Sequence, residues 1–389
     1  MKRNVSLLAL LSLLVGCQSG ERITENPKTL LPAKPQPESV EVKMTFFGDI
    51  FWGRRVQTWS EASELKEAYP FSGLYTFEKQ ERENWIGNLE CPTTSKEISQ
   101  SQQENALRFN CRPTYLPEAA KYFDVFSLAN NHTDNVDGQW GLDESRRNLE
   151  ANGIQHFGHY DNAVLEDACE VASLEASVIY TDGSVRPGTY PVALCGYHNL
   201  YKLPTDEALA VVSDYAQYFP TFVMPHQGAE YVTKSDGLQK RVYRQMIDLG
   251  ADAVIGGHTH SVIDTEAYRG KLIAYSIGNF IFDQQGTEMK RTGLPITATV
   301  TMPYRESLVS LDCTKFQEGC LGDARLLAVE KPELRIGYTA TPSDNANRLA
   351  KKAGPEVAAR VLRMANWTET MEVLEAVSAE STEPAIETD

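Results

Sequence analysis

Short apolar runs recur along this chain, and one after another closes on a residue able to bind a metal ion. Residues 42–47 are followed by Gly48-Asp49, and residues 85–89 by Glu90. Residues 125–129 lead into Asn130-Asn131-His132, residues 221–224 into Pro225-His226, and residues 253–255 into Gly256-Gly257-His258-Thr259-His260. Short apolar runs bounded by Gly, Asn and Asp read as buried strands. Between them, residues 141–152 put Leu142 and Leu149 on one helical face and stop at Gly153, and residues 238–249 form an amphipathic helix stopped by Gly250. Strands interleaved with helices specify an α/β fold. In open α/β sheets, ligands bind beyond the carboxyl ends of the strands, which is where these residues fall.

Each member of the set has an ordinary explanation, since Asp and Asn are common turn residues and a His-x-His pair can simply face water. Together, Asp49, Glu90, Asn131, His226, His258 and His260 at successive strand ends form a ligand set. Carboxylates, an amide and imidazoles suit Mn, Zn or Fe. Two histidines one residue apart suit a pair of adjacent divalent ions.

Further strands are expected at 154–157, 192–196, 297–302 and 326–330. A hairpin is expected from 264–268 and 272–275 around Arg269-Gly270-Lys271. Residues 356–374 have helical spacing, with Val357, Val361, Leu362 and Met364 toward the core. His156, His159 and His198 read as surface or core histidines, and Asn279 with Gly278 as a turn. Phe51 and Trp52 either wall the site or pack behind it.

The formal charge of −16 excludes a nucleic-acid binder, which needs a basic face. At the amino end, Lys2 and Arg3 precede an apolar run over 5–15 that closes on Leu14-Val15-Gly16-Cys17. This resembles a bacterial lipobox. Residues 1–16 are then a lipoprotein signal peptide, and Cys17 is lipidated and attaches the chain to a membrane. Residues 17–41, polar and holding Pro27, Pro32, Pro35 and Pro37, form a flexible tether. The expected location is the bacterial cell envelope, extracytoplasmic and lipid-anchored. Gln18 after the cysteine favours the outer membrane where there is one.

The six other cysteines are an even number suited to an oxidising compartment. Proximity pairs Cys91 with Cys111, Cys169 with Cys195, and Cys313 with Cys320, the last enclosing a stapled hairpin. A reduced Cys91 would instead sit beside Glu90 as a metal ligand. Residues 376–389 are acidic and small, an expected disordered tail.

The motifs also carry a family resemblance. Gly48-Asp49-Ile50 with Gly53-Arg54, Asn88-Leu89-Glu90 and Ala129-Asn130-Asn131-His132 come first. His226-Gln227-Gly228-Ala229-Glu230-Tyr231, Gly250-Ala251-Asp252, Gly257-His258-Thr259-His260 and Tyr275-Ser276-Ile277-Gly278-Asn279-Phe280 follow in order. Across residues 42–285 the chain resembles the CapA/PgsA-type capsule (poly-γ-glutamate) synthesis proteins, a branch related to the calcineurin-like metallophosphoesterases. The resemblance implies a four-layer α/β/β/α metallophosphoesterase-like sandwich over 42–300, with a metal site at strand-end loops. Residues 301–375 would be an extension packed on it.

Carried over position by position, Glu90 would bridge two metals, one also held by Asp49 and His260 and the other by Asn131, His226 and His258. His132 would be a general acid or charge stabiliser, and Arg54 a clamp for an anionic oxygen. Two departures stand out. Phe51 occupies a position where most metallophosphoesterases place a histidine ligand. Residues 133–138 run one residue longer than the usual pattern, so the family position falls on either Asp134 or Asp137 and is assigned to neither.

Three functions are open: a metal-dependent hydrolase of a phosphoester or related bond, linked to capsule or poly-γ-glutamate biosynthesis; a non-catalytic component of a capsule polymer assembly or export complex; and an amide-bond hydrolase or transferase on a polyanion. The expected partners are the membrane through Cys17, capsule or polymer synthesis proteins, and an anionic envelope substrate.

Overall fold

Strand β1 (Pro37–Ile50) is shared by two arms of one branching sheet. The structure is a computed structural model that describes residues 34–311, 313 and 317–374. The expected signal peptide, the lipidated Cys17, the tether up to residue 33 and the tail 376–389 lie outside the described residues.

The first arm continues from β1 through β2 (Glu83–Leu89), β3 (Val125–Ser127) and β4 (Gln155–Phe157), all parallel. The second begins with the antiparallel pair β5 (Cys169–Tyr180) and β6 (Val185–His198). It runs on in parallel through β7 (Thr221–His226) and β8 (Ala253–Ile255). The hairpin of β9 (Thr265–Tyr268) and β10 (Lys271–Ala274) closes that edge. At its tip β1 also pairs with β11 (Asn279–Ile281). After the short β12 (Thr292–Gly293), β13 (Ile296–Pro303) lies antiparallel to β1, and β14 (Arg335–Ala340) adds to β13.

Successive strand residues point to opposite faces, and β1 uses this to divide the molecule. Phe46 turns inward onto Phe222 of the second arm, with ring centroids 5.4 Å apart. Phe47 turns outward into an aromatic cluster with Trp85, Phe123 and Phe280. Helix Gln139–Glu150 and the 3₁₀ turns at Lys66–Phe71 and Leu74–Phe77 cover that outer face, burying Leu142, Leu149, Phe71 and Leu74. Helices Asp206–Ala216 and Gly237–Asp248 cover the second arm with Leu209, Val212, Val242 and Met246. The layers are therefore α/β/β/α. Local chemistry starts these two helices: Thr205 caps the first, and a capping box from Asp236 and Gln239 opens the second.

Several expectations from the sequence need correction. β1 starts at Pro37, not residue 42, because Ser39, Glu41 and Lys43 alternate with buried Val40, Val42 and Met44 in a strand with one wet face. The expected strand at 192–196 is the end of a far longer β6, and its partner β5 was not anticipated at all. Helix Gln317–Leu326 runs into the expected strand at 326–330, and Ala328 adopts φ 46°. The expected helix at 356–374 stops at Met364, where Asn366 turns to φ 52°, and resumes only as Glu369–Glu372. Val361 is buried, as its spacing implies.

All three proximity-based disulfides are formed, Cys91–Cys111, Cys169–Cys195 and Cys313–Cys320. Cys320 lies in helix Gln317–Leu326 rather than in a hairpin. Among the described residues no helix is long and apolar enough to cross a membrane.

Candidate metal centre

Asp49 reaches the centre because the tip of β1 passes against the loop before β11. Asp49 N–H donates to Gly278 O at 3.1 Å. A Cβ at Gly48 would fall 1.7 Å from that same oxygen, so only glycine allows the approach. Glu90 follows β2, its N–H bonded to Ile50 O at 2.9 Å, and the Cys91–Cys111 disulfide fixes the next residue. This bond removes Cys91 as a ligand. The loop after β3 is pinned by Asn130, whose Nδ2 donates to Asn88 Oδ1 and Leu89 O at 3.0 and 2.9 Å. Its Oδ1 accepts from His132 N–H and Thr133 Oγ1. After β8, His258 and His260 adopt φ of 86° and 53°. Left-handed backbone at two non-glycine residues is strain of the kind stored at functional sites.

The expected ligand residues converge. Ligand atoms of Asp49, Glu90 and His260 lie within 4.8 Å of one another, and so do those of Glu90, His226 and His258. Glu90 belongs to both groups. His260 Nδ1 is 3.3 Å from Asp49 Oδ2, and its Nε2 is 3.7 Å from Glu90 Oε1. His226 Nε2 lies 3.9 Å from Glu90 Oε1, 3.2 Å from His258 Nδ1 and 2.8 Å from Asn131 Oδ1. Asn88 Nδ2 stands between the halves, 2.8 Å from Asp49 Oδ1 and 3.3 Å from His226 Nδ1.

Whether these residues fit divalent ions can be judged from their unmet needs. Glu90 and Asp49 are fully buried. Among the described residues neither Glu90 oxygen has a hydrogen-bond partner, and Asp49 Oδ2 has only its ion-pair contact with His260. Buried carboxylates without partners are strongly unfavourable unless a cation compensates them. The donor set and these orphaned oxygens fit divalent metal.

Burial, with Asp49 beside it, holds the Glu90 carboxyl well above its ordinary range. Burial keeps His226 well below the usual imidazole value and lowers His258 to about 3. His260 goes the other way. Burial opposes its charge, yet the carboxylates of Glu90 and Asp49 and its bond to Asn279 push it up to about 9.

His132 stacks on Phe109 at 3.9 Å, and its Nδ1 is 2.8 Å from Asn135 Oδ1. Its Nε2 lies 3.9 Å from Glu90 Oε1, and burial lowers it to about 3. Within the stretch 133–138, the residue that meets the His132 ring is Asn135. Asp134 is exposed, and Asp137 pairs with Lys96 and Arg108.

Arg54 is not a surface cation. It is ion-paired with Asp283 at 2.6 Å and lies over Phe109, Phe51 and Phe282 at 4.4, 5.1 and 5.7 Å. Phe51 stacks with Phe109 and Phe282, which back His132 and His260 respectively, so it is part of the wall. Trp52 packs behind, against Phe71, with its indole N–H on Arg112 O.

Asn279 does more than shape a turn, because its Oδ1 is 2.8 Å from His260 Nδ1 and orients that ring. Sequence reasoning missed this role, and those of Asn88, Asn130 and Asn135. Their presence inside the matched motifs was the available signal.

Residues 43–284 match the family described as bacterial capsule synthesis protein PGA_cap. The capsule biosynthesis protein CapA of Bacillus anthracis is 25% identical over 279 residues, 69% of this chain and 66% of that one. The PGA biosynthesis protein CapA of Bacillus subtilis (strain 168) is 27% identical over 266 residues, 64% of this chain and 66% of that one. The chain thus spans just under two thirds of the length of these curated relatives. Among solved structures, a 5'-nucleotidase from Candida albicans SC5314 aligns with a TM-score of 0.35 and 8% identity, over 85% of this chain and 54% of that one. With most of its sandwich inside the matched region, the chain belongs to the bacterial capsule synthesis protein PGA_cap family, within the metallophosphoesterase-like superfamily.

Proposed function

We propose that this protein is a lipid-anchored, metal-dependent hydrolase of a phosphoester or related bond, serving capsule or poly-γ-glutamate biosynthesis in the bacterial envelope. The observation that carries the reading is the doubled ligand group around Glu90, whose oxygens are buried without hydrogen-bond partners among the described residues. Asp49, Glu90 and His260 would hold one ion, and Glu90, Asn131, His226 and His258 the other. Bound there, the ions would neutralise phosphoryl charge and supply activated water near neutral pH.

The chain's own residues do the rest. Arg54, ion-paired with Asp283, and Lys290 are cations near the centre, Lys290 Nζ lying 3.5 Å over the Tyr231 ring that stacks on His260. Lys290, with Arg54 where an anion displaces Asp283, would give an otherwise acidic protein a local means of receiving an anionic substrate. His132, with Nδ1 tied to Asn135, presents Nε2 on the Glu90 side, and it would act as a general acid only once that buried ring takes up a second proton. The wall of Phe51, Phe109 and Phe282 excludes water from the Asp49 side and fixes both rings against it. The polymer link is supported by the relatives' names, and anchoring at Cys17 by the lipobox-like segment.

One observation favours a second reading, a non-catalytic part of an assembly or export complex. Phe51 replaces a nitrogen donor on the Asp49 side, so that half has fewer ligands. Metal content decides between them. The full-length protein is expected to bind about two ions per chain and to cleave phosphomonoesters, both lost in a His258→Ala/His260→Ala variant. No metal after reconstitution with Mn or Zn would overturn the hydrolase reading. Cleavage of γ-glutamyl peptides but no phosphoester would move it to an amide-bond hydrolase or transferase.

A further inference from the structure

β6 ends at His198, and the register of the parallel β6–β7 pair sets His198 beside His226. It is one more imidazole in the row of strand ends that builds the centre, yet it belongs to neither ligand group. Its backbone is clamped by Asn162. His198 N–H donates to Asn162 Oδ1 at 3.1 Å, and Asn162 Nδ2 donates to His198 O at 2.7 Å. The ring Nδ1 lies 2.8 Å from Tyr160 O. A carbonyl only accepts, so Nδ1 carries the proton and Nε2 is left with a lone pair.

That lone pair is unused. His198 is only 8% exposed, and among the described residues its Nε2 is buried with no hydrogen-bond partner. A buried acceptor without a donor is destabilising. The contrast with His159 is direct. There Nδ1 accepts from Asp161 N–H at 2.8 Å and Nε2 lies 3.0 Å from Gln139 Oε1, so both nitrogens are used, as a structural histidine requires. The His198 ring lies 6.4 Å from that of His226 and 5.3 Å from that of Tyr201, which meets it edge to face. Tyr201 is 82% exposed, so this aromatic is an open wall and not core.

We propose that His198 is a substrate-binding residue: its Nε2 accepts a hydrogen bond from a hydroxyl or amide N–H on the substrate portion lying over the His226 side, with Tyr201 as the outer wall of that subsite. The favoured substrate is therefore an ester of a donor-bearing group such as a sugar, not of a bare aryl or alkyl group. This rests on the hydrolase reading above.

The test uses full-length, Mn-loaded protein and two esters, p-nitrophenyl phosphate, whose leaving group has no hydrogen-bond donor, and glucose 1-phosphate. His198→Phe keeps the ring and removes the acceptor, while His198→Gln offers an acceptor oxygen in its place. His198→Phe is expected to lower kcat/KM for glucose 1-phosphate about tenfold, chiefly through KM, and to leave p-nitrophenyl phosphate within about twofold. His198→Gln should restore most of the loss. Equal loss on both esters, or on neither, would overturn the proposal.

A readout independent of turnover comes from ¹⁵N-histidine NMR on the same protein. The His198 Nε2 signal should be that of an unprotonated nitrogen and should move upfield on adding methyl glucoside. A signal that stays put overturns the subsite. If the wild type cleaves neither ester, the hydrolase reading fails and the nitrogen shift alone decides His198.

Discussion

The two halves of the centre meet at Glu90 but are built on different principles. The Asp49 half is a carboxylate and an imidazole pressed against an aromatic wall, with His260 oriented by Asn279 and pushed up to about 9. The His226 half is an amide and two imidazoles, with His258 lowered to about 3 and His226 well below its ordinary value. At neutral pH, His260 in one half therefore holds a proton, while both imidazoles of the other are neutral. An ion arriving at the first would have to displace the His260 proton, while the imidazoles of the second would have none to lose. The aromatic residue at position 51 sharpens the asymmetry by leaving the first half with fewer donors.

The largest expected effect comes from the residue the halves share. Glu90→Gln should cut bound metal from about two ions per chain to about none, whereas His258→Ala should remove only the ion of its own half. Retention of one tightly held ion by Glu90→Gln would show that the halves do not depend on each other. Next in size, Asn279→Ala frees the His260 ring. Metal affinity at the Asp49 half should fall by roughly 10–100-fold, the usual cost of losing such a support, with the His226 half unchanged. Competition against a fluorescent chelator resolves the two.

The pH dependence should differ as well. A proton held up to about 9 on His260 competes with the ion at lower pH. Affinity of that half should therefore rise more steeply from pH 6 to 8 than that of the His226 half, where only the raised carboxyl of the shared Glu90 brings a competing proton. Titration calorimetry at several pH values reads both, and parallel slopes would erase the distinction. The smallest effect is a gain. Phe51→His returns a nitrogen to the first half and should tighten it by about tenfold. The lost aromatic packing with Phe109 and Phe282 should cost roughly 1–3 kcal/mol of stability, visible as a lower Tm.

What was legible in the sequence was local. Residues 221–224 and 253–255 are apolar runs ended by turn formers, so both the strands and the residues that follow them could be read. Helix Gly237–Asp248 announces itself by its period and its capping residues. The β5 strand was not legible, because Cys169–Tyr180 mixes buried and half-buried positions and its partner β6 runs well beyond its apolar core. The supports of the centre were hidden for a different reason. Asn279 and His260 meet only because β11 docks on the tip of β1, and His198 stands beside His226 only through the β6–β7 register. Asparagine in such places looks like turn chemistry until distant strands bring its acceptor to a ring.

The branching of β1 has a consequence for the order in which the molecule can mature. A chain emerging amino end first presents Asp49 and Glu90 early, but their imidazole partners belong to loops after β7 and β8. Asp49 is further held by the segment leading into β11. Contacts so far apart in sequence close late in folding. Neither half can be complete until both arms have joined through β1. Metal retained on purification would then count the chains in which that last junction has closed, so a bound ion would mark finished assembly whatever else it does.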